Sequence, residues 1–248
     1  MAMWVFGYGS LIWNPGFEYL DSKVGYIKGY NRRFWQGNDF HRGNPDKIGR
    51  VATLVEDEQG LTWGKAFLLG PGADTSLAYL DKREAQLGGY CTTVVTFQPR
   101  DPTEEPFPVV LYTALPSNRL YAGSAPLHQV ATEIAEAKGH CGHNAEYLIR
   151  LVHFMKEQLP DVWDEHLYNL DHLVRARLKE KGNFCRGYVK WGERTFGPGS
   201  PGGLAMPVPT TLKSGRKGGV PLSSFPFQLC IPGCLGEGNG GLGDERSP

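Results

Sequence analysis

Glu84 and the run Gly7-Tyr8-Gly9-Ser10-Leu11 are the residues whose types and spacing point to chemistry. On a helical wheel at about 100° per residue, the segment from Asp74 to Leu87 gathers Leu77, Leu80 and Leu87 in one sector, with Glu84 between Leu77 and Leu80. Lys82, Arg83 and Gln86 fall away from that stripe. A carboxyl on the core-facing side of a helix is desolvated, which disfavours its charged form and raises its pKa. Such a group can take up a proton and return it near neutral pH. Periodicity alone leaves a second reading open, an ion-paired structural carboxylate. Arg83 diverges from Glu84 on a helix, so any partner would come from another element.

The glycine-rich run follows Trp4-Val5-Phe6, which reads as a short strand. Small residues let a ligand approach the backbone, and successive N–H groups can form an anion-binding concavity. A dinucleotide fingerprint would need a third glycine where Ile12 stands. No helix obviously opens behind the loop and no βαβ unit follows, so dinucleotide binding is rejected. His140, Cys141 and His143 cluster near a helix start, but no second cluster completes a zinc site, and no metal is expected. No serine has a convincing His and Asp constellation, so Ser10 reads as a loop residue and not a nucleophile.

The elements that must position these groups are legible in outline. Arg50 to Val55 and Leu61 to Leu69 are β-rich, and Glu56-Asp57-Glu58-Gln59-Gly60 between them reads as a hairpin turn. Asp74 can cap a helix that runs to about Leu87 and stops at Gly88-Gly89. Strands are expected at about Cys91 to Phe97 and Pro108 to Ala114. Helices follow over Pro126 to Lys138, Asn144 to Gln158 and Val162 to Lys179. Strands first and helices later define an α+β domain with a mostly antiparallel sheet or small barrel.

The chain has 248 residues, no net charge and 40% hydrophobic residues. It can therefore bury a real core, and it lacks the basic stripe that tracks a phosphate backbone, so nucleic acid is not an expected partner. No stretch reaches the ~20 apolar residues of a membrane span, and the first residues do not read as a signal peptide. Five scattered cysteines do not form a disulfide framework. The cytosol is the expected compartment. Residues 183–248 hold 15 Gly and 8 Pro in 66 positions, against 18 Gly and 10 Pro in residues 1–182. The division expected is therefore a domain over 1–182 and a disordered Gly/Pro-rich tail over 183–248, the tail being an extension or a product of splicing or gene prediction.

Val5-Phe6-Gly7-Tyr8-Gly9-Ser10-Leu11-Ile12-Trp13, then Arg32-Arg33-Phe34-Trp35-Gln36-Gly37, then Asp81-Lys82-Arg83-Glu84 ahead of Gly88-Gly89-Tyr90, resemble the ChaC-type glutathione-specific γ-glutamylcyclotransferases. Gly123-Ser124-Ala125-Pro126, Asn144-Ala145-Glu146-Tyr147-Leu148 and Asp164-Glu165-His166-Leu167 extend the resemblance to about residues 3 to 180. It implies a small mixed β-barrel with flanking helices, no cofactor, and glutathione as the small-molecule partner. The reaction implied is cyclisation of the γ-glutamyl group, releasing 5-oxoproline and cysteinylglycine, with the catalytic glutamate at Glu84. The loop Val5, Phe6, Gly7, Tyr8, Gly9 and Ser10 is implied to hold the γ-glutamyl part. Backbone N–H groups of Tyr8 through Leu11 are available for its carboxylate or the developing oxyanion. Arg32, Arg33, Arg42 and Arg50 could receive a second carboxylate, but each reads more simply as a surface charge. Tyr147 could reach the pocket through its hydroxyl or could pack. Broader specificity for γ-glutamyl compounds, an inactive binding or regulatory role, the paralogue and the oligomeric state stay open.

Overall fold

The computed structural model of the protein describes residues 3–70 and 90–182. Five strands close a mixed barrel in the order β1-β3-β2-β4-β5, with β1 Trp4–Gly7, β2 Tyr19–Asn38, β3 Gly49–Leu69, β4 Tyr90–Pro99 and β5 Phe107–Ala114. All pairings are antiparallel except that of β1 with β5, where Val5 meets Val110. That parallel contact closes the barrel and removes the open sheet edge. The interior is filled by Phe6, Ile27, Leu54, Ala66, Phe97, Val109 and Leu111. Gly25 permits the closure, because a Cβ there would strike the Phe97 ring and the Gln98 carbonyl.

Strands β2 and β3 run well past the barrel. Residues 30–38 pair with residues 49–56 to form a ribbon with which no other strand among the described residues pairs. Three helices pack there: α1 Leu127–Glu136, α2 Asn144–Gln158 and α3 Glu165–Glu180. Helix α2 presents Tyr147, Leu148, Leu151, Val152 and Met155 on one face, the i, i+4, i+8 pattern of a buried stripe. Helix α3 is capped by Asp164, whose Oδ1 accepts the Leu167 N–H at 3.0 Å, and it closes on Gly182 at φ 64°. Phe34 and Ala52 of the ribbon join this second core. No helix among the described residues is long and apolar enough to cross a membrane.

The α+β class and the barrel agree with expectation, and α2 has the bounds read from the sequence. Three readings need correction. Residues 56–60 do not reverse the chain, because β3 continues through them and stays paired with β2 on both sides. The register jumps from Lys28–Leu61 to Tyr30–Glu56, so Gly29, at φ 85°, faces residues 57–60 across a bulge. Asp57 organises the bulge by accepting from Gln59 N–H and Asn31 Nδ2. Strand β2 had no counterpart in the sequence reading. Finally, a single 3₁₀ turn, Ser10–Ile12, does open behind the glycine loop. The helix expected over Asp74 to Leu87, Glu84 within it, and the tail over 183–248 lie outside the described residues.

Candidate functional site

The loop from Gly7 to Leu11 leaves the end of β1, where Gly7 faces Lys65 of β3. Val5 and Phe6 direct their side chains into packed clusters, at 0% and 1% exposure, so they can serve a ligand only through the backbone. Tyr8 donates its hydroxyl to the Tyr112 carbonyl at 2.8 Å, tying the loop to the end of β5. Ile12 N–H donates to Gly9 C=O at 3.1 Å and Asn14 N–H to Ser10 C=O at 2.9 Å, which fixes the chain reversal.

Tyr147 of α2 comes to this loop from behind. Its hydroxyl oxygen accepts the Ala52 N–H at 3.3 Å. It also lies so close to Gly9 that a Cβ at that position would fall well inside 3.0 Å of it. The phenol ring is set edge-on to Trp13 at 5.2 Å and to Phe34 at 6.0 Å between centroids. Glycine at position 9 is thus explained by a close approach of a side chain. Tyr147 both packs and reaches the loop, so the two readings of it describe one arrangement. Across the strand from Gly7, burial pushes the Lys65 ammonium pKa down, and its Nζ stands 5.4 Å from the Phe67 ring centroid.

Three of the four arginines weighed for a substrate carboxylate are not surface charges. Arg32 pairs with Asp164 at 3.0 Å, Arg42 with Glu146 at 3.1 Å and Arg50 with Glu133 at 2.5 Å, and all three are buried. Burial in an apolar setting is tolerated because each guanidinium has both a carboxylate and a backbone carbonyl. Arg33 alone has no carboxylate partner among the described residues; its Nη1 donates to the Arg32 carbonyl. His140 stacks on Phe40 at 5.5 Å, and Cys141 N–H donates to His41 C=O, in the turn between two short strands, β6 Lys138–Gly139 and β7 Gly142–His143. No group of three potential metal ligands occurs among the described residues.

His166 is a half-buried residue to which the sequence reading gave no role beyond its place in the Asp164-Glu165-His166-Leu167 motif. Its Nε2 accepts the Phe34 N–H at 3.1 Å, and its ring stacks on Phe34. Burial, and then the Arg33 charge, lower its pKa to about 4, so the ring is neutral at pH 7. With Nε2 accepting, the proton of the neutral ring resides on Nδ1.

A closed mixed barrel with a glycine loop at the end of β1 is the γ-glutamylcyclotransferase architecture. A crystal structure of a γ-glutamyl cyclotransferase specific to glutathione from yeast superposes with a TM-score of 0.63 at 25% identity, covering 71% of this chain and 96% of that one. The profile described as ChaC-like protein matches residues 3–177, and the chain belongs to that family. Glutathione-specific γ-glutamylcyclotransferase 1 of Homo sapiens is 51% identical over 178 residues, which are 71% of this chain and 80% of the human protein. The protein of the same name from Danio rerio is 48% identical over 179 residues, 72% of this chain and 91% of its own length. A glutathione-specific γ-glutamylcyclotransferase of Schizosaccharomyces pombe is 32% identical, over 72% of this chain and 95% of that protein.

Proposed function

We propose that the protein cleaves glutathione by intramolecular cyclisation, giving 5-oxoproline and L-cysteinylglycine, within a catalytic domain of residues 1–182. The observation that carries this reading is about half identity to proteins named for that activity, across the whole barrel and its helices. The substrate supplies both reacting groups. Its α-amine attacks its own γ-carbonyl, the γ-glutamyl amide bond breaks, and the cysteinyl nitrogen leaves as an amine. The protein has to fold the glutamyl chain into a near-attack shape and move one proton.

Glu84 is assigned that proton. It accepts it from the attacking α-amine, the ammonium having first lost its extra proton to solvent, and later delivers it to the departing nitrogen. The backbone N–H groups of Tyr8 through Leu11 are assigned to the glutamyl carboxylate or the oxyanion. The rigid backing of the loop by Tyr147 supports this, because preorganised donors need not reorient during reaction. We place the reaction in the cytosol, in keeping with free Cys91 and Cys141 among the described residues. Glu84→Gln is expected to keep the fold and glutathione binding and to abolish release of 5-oxoproline. Near-normal turnover in that variant would remove Glu84 from the mechanism.

A further inference from the structure

A groove of about 460 Å³ lies on the helical side of the molecule, between the β2–β3 ribbon and the start of α3. Its size suits one small organic molecule or the last residues of a peptide. It connects with the glycine loop only indirectly, through Phe34, whose ring takes His166 on one side and Tyr147 on the other. None of its lining belongs to the proposed catalytic machinery.

The polar lining sets the donors Arg32, Arg33 and His166 beside the amides Asn31 and Asn169 and the acids Asp164 and Glu165. His166 has its Nε2 occupied by the Phe34 N–H, so it offers Nδ1–H, and no acceptor for that proton occurs among the described residues. Arg33 spends one N–H on the Arg32 carbonyl and faces no carboxylate partner among the described residues. Arg32 lines the same groove at 2% exposure, and its Nε is buried without an acceptor. A buried guanidinium N–H left unmatched is uncommon and costly. The acids present do not answer this demand. Asp164 is committed to Arg32 and to the α3 cap, and Glu165 stands exposed at the rim, where solvent screens it.

The remaining walls are apolar and aromatic. Leu61, Trp63 and Val162 line the groove, and Trp163 lies at its mouth with 71% of its surface exposed. Tyr168 stacks on Trp163 at 4.6 Å, holding the indole in place while leaving it open to a ligand. We propose that this groove is a binding site for a carboxylate joined to an aromatic body, the carboxylate received by Arg33 and His166 and the ring set against Trp163. A free aromatic acid and the C-terminus of a polypeptide ending in an aromatic residue share that chemistry.

The test titrates the full ¹⁵N-labelled chain with phenylacetate, with phenylacetamide, and with a hexapeptide ending in Phe. Saturable shifts of the Phe34 amide and of the Trp63 and Trp163 indole N–H signals are expected with phenylacetate and not with phenylacetamide. Arg33→Gln, which removes no carboxylate pair among the described residues, is expected to weaken the binding at least about tenfold, the loss of one charge-assisted contact. Trp163→Ala, at an exposed position, is expected to weaken it in a folded protein. Competition by the hexapeptide would assign the site to polypeptide C-termini, and its failure to compete would assign it to free acids. The proposal is overturned if phenylacetate gives no saturable shift up to about 10 mM, well beyond a millimolar affinity. Equal binding of the amide, or full retention of binding in Arg33→Gln, would overturn it as well.

Discussion

Adding a single methyl group at Gly9 tests the assembly of the candidate site. In Gly9→Ala the new Cβ falls well inside 3.0 Å of Tyr147 Oη, while its next neighbours, Tyr147 Cζ and Ala52 Cβ, are at 3.6 and 3.8 Å. The hydroxyl cannot simply swing aside. Tyr147 is 4% exposed, and Trp13 and Phe34 meet its ring edge-on. Either the loop moves or the helix does. Overpacking of this kind costs roughly 1–3 kcal/mol, and losing the Ala52 N–H bond adds about 1. For a domain of this size the melting temperature should fall by roughly 5–15 °C. A loop shift near 1 Å should lower kcat/KM on glutathione by up to about 10²-fold. Tyr147→Phe alone should also destabilise, because it strands the Ala52 N–H. The double variant is the decisive measurement. Without the hydroxyl, the new methyl meets only contacts of ordinary length, so its melting temperature should lie well above the sum of the two single losses. Strict additivity, or a Gly9→Ala protein as stable and active as the parent, would refute the close approach as the reason for glycine.

Acid should weaken the fold through His166. Its pKa is about 4 in the fold against 6.5 ordinarily, so between these values the unfolded chain holds the extra proton. Stability is full above pH 6.5 and declines by up to roughly 3 kcal/mol as pH falls toward 4. Urea unfolding at a series of pH values should show this slope in the parent and a flatter one in His166→Gln. Asp164→Ala removes both the α3 cap and the counter-charge of Arg32, whose side chain is 1% exposed, and should cost about 3–5 kcal/mol. Asp164→Asn keeps a capping oxygen and should lose less; equal losses would deny the cap its role, and an Asn variant as stable as the parent would deny the ion pair its own. Asn144→Ala deletes two buried bonds to the Arg50 backbone, at 2.6 and 2.7 Å, and should cost roughly 2–4 kcal/mol by the same unfolding assay.

The parts legible in the sequence were those governed by local pattern. Helix α2 has an apolar stripe and a stop at Leu159-Pro160, and its bounds follow from those alone. Strand β2 was missed because three register shifts, at Tyr19/Asp21, Lys28/Tyr30 and Arg33/Gln36, each reset the alternation that marks a strand. The false hairpin has a related cause. Glu56 to Gly60 carries turn chemistry, and local residues cannot tell a turn that reverses the chain from a bulge that does not. The buried arginines looked superficial because their partners are remote. Arg32 and Asp164 are 132 positions apart, and Arg42 and Glu146 are 104 apart.

The least legible feature is also what places the loop. Between residues 50 and 52, β3 has β2 on one edge and, among the described residues, no strand on the other. Bare strand edges need cover, and here α2 supplies it with side chains. Asn144 takes both the N–H and the C=O of Arg50, and Tyr147, one helical turn on, takes the N–H of Ala52. Spacing of three on the helix is thereby matched to spacing of two on the strand. The match locks α2 in register along β3, and the Tyr147 hydroxyl that completes it is the atom that lies against Gly9. The glycine loop is therefore held by a strand edge and a helix face that sequence separation hides. Its geometry should depend on Asn144, which does not line the loop, as directly as on the loop's own residues.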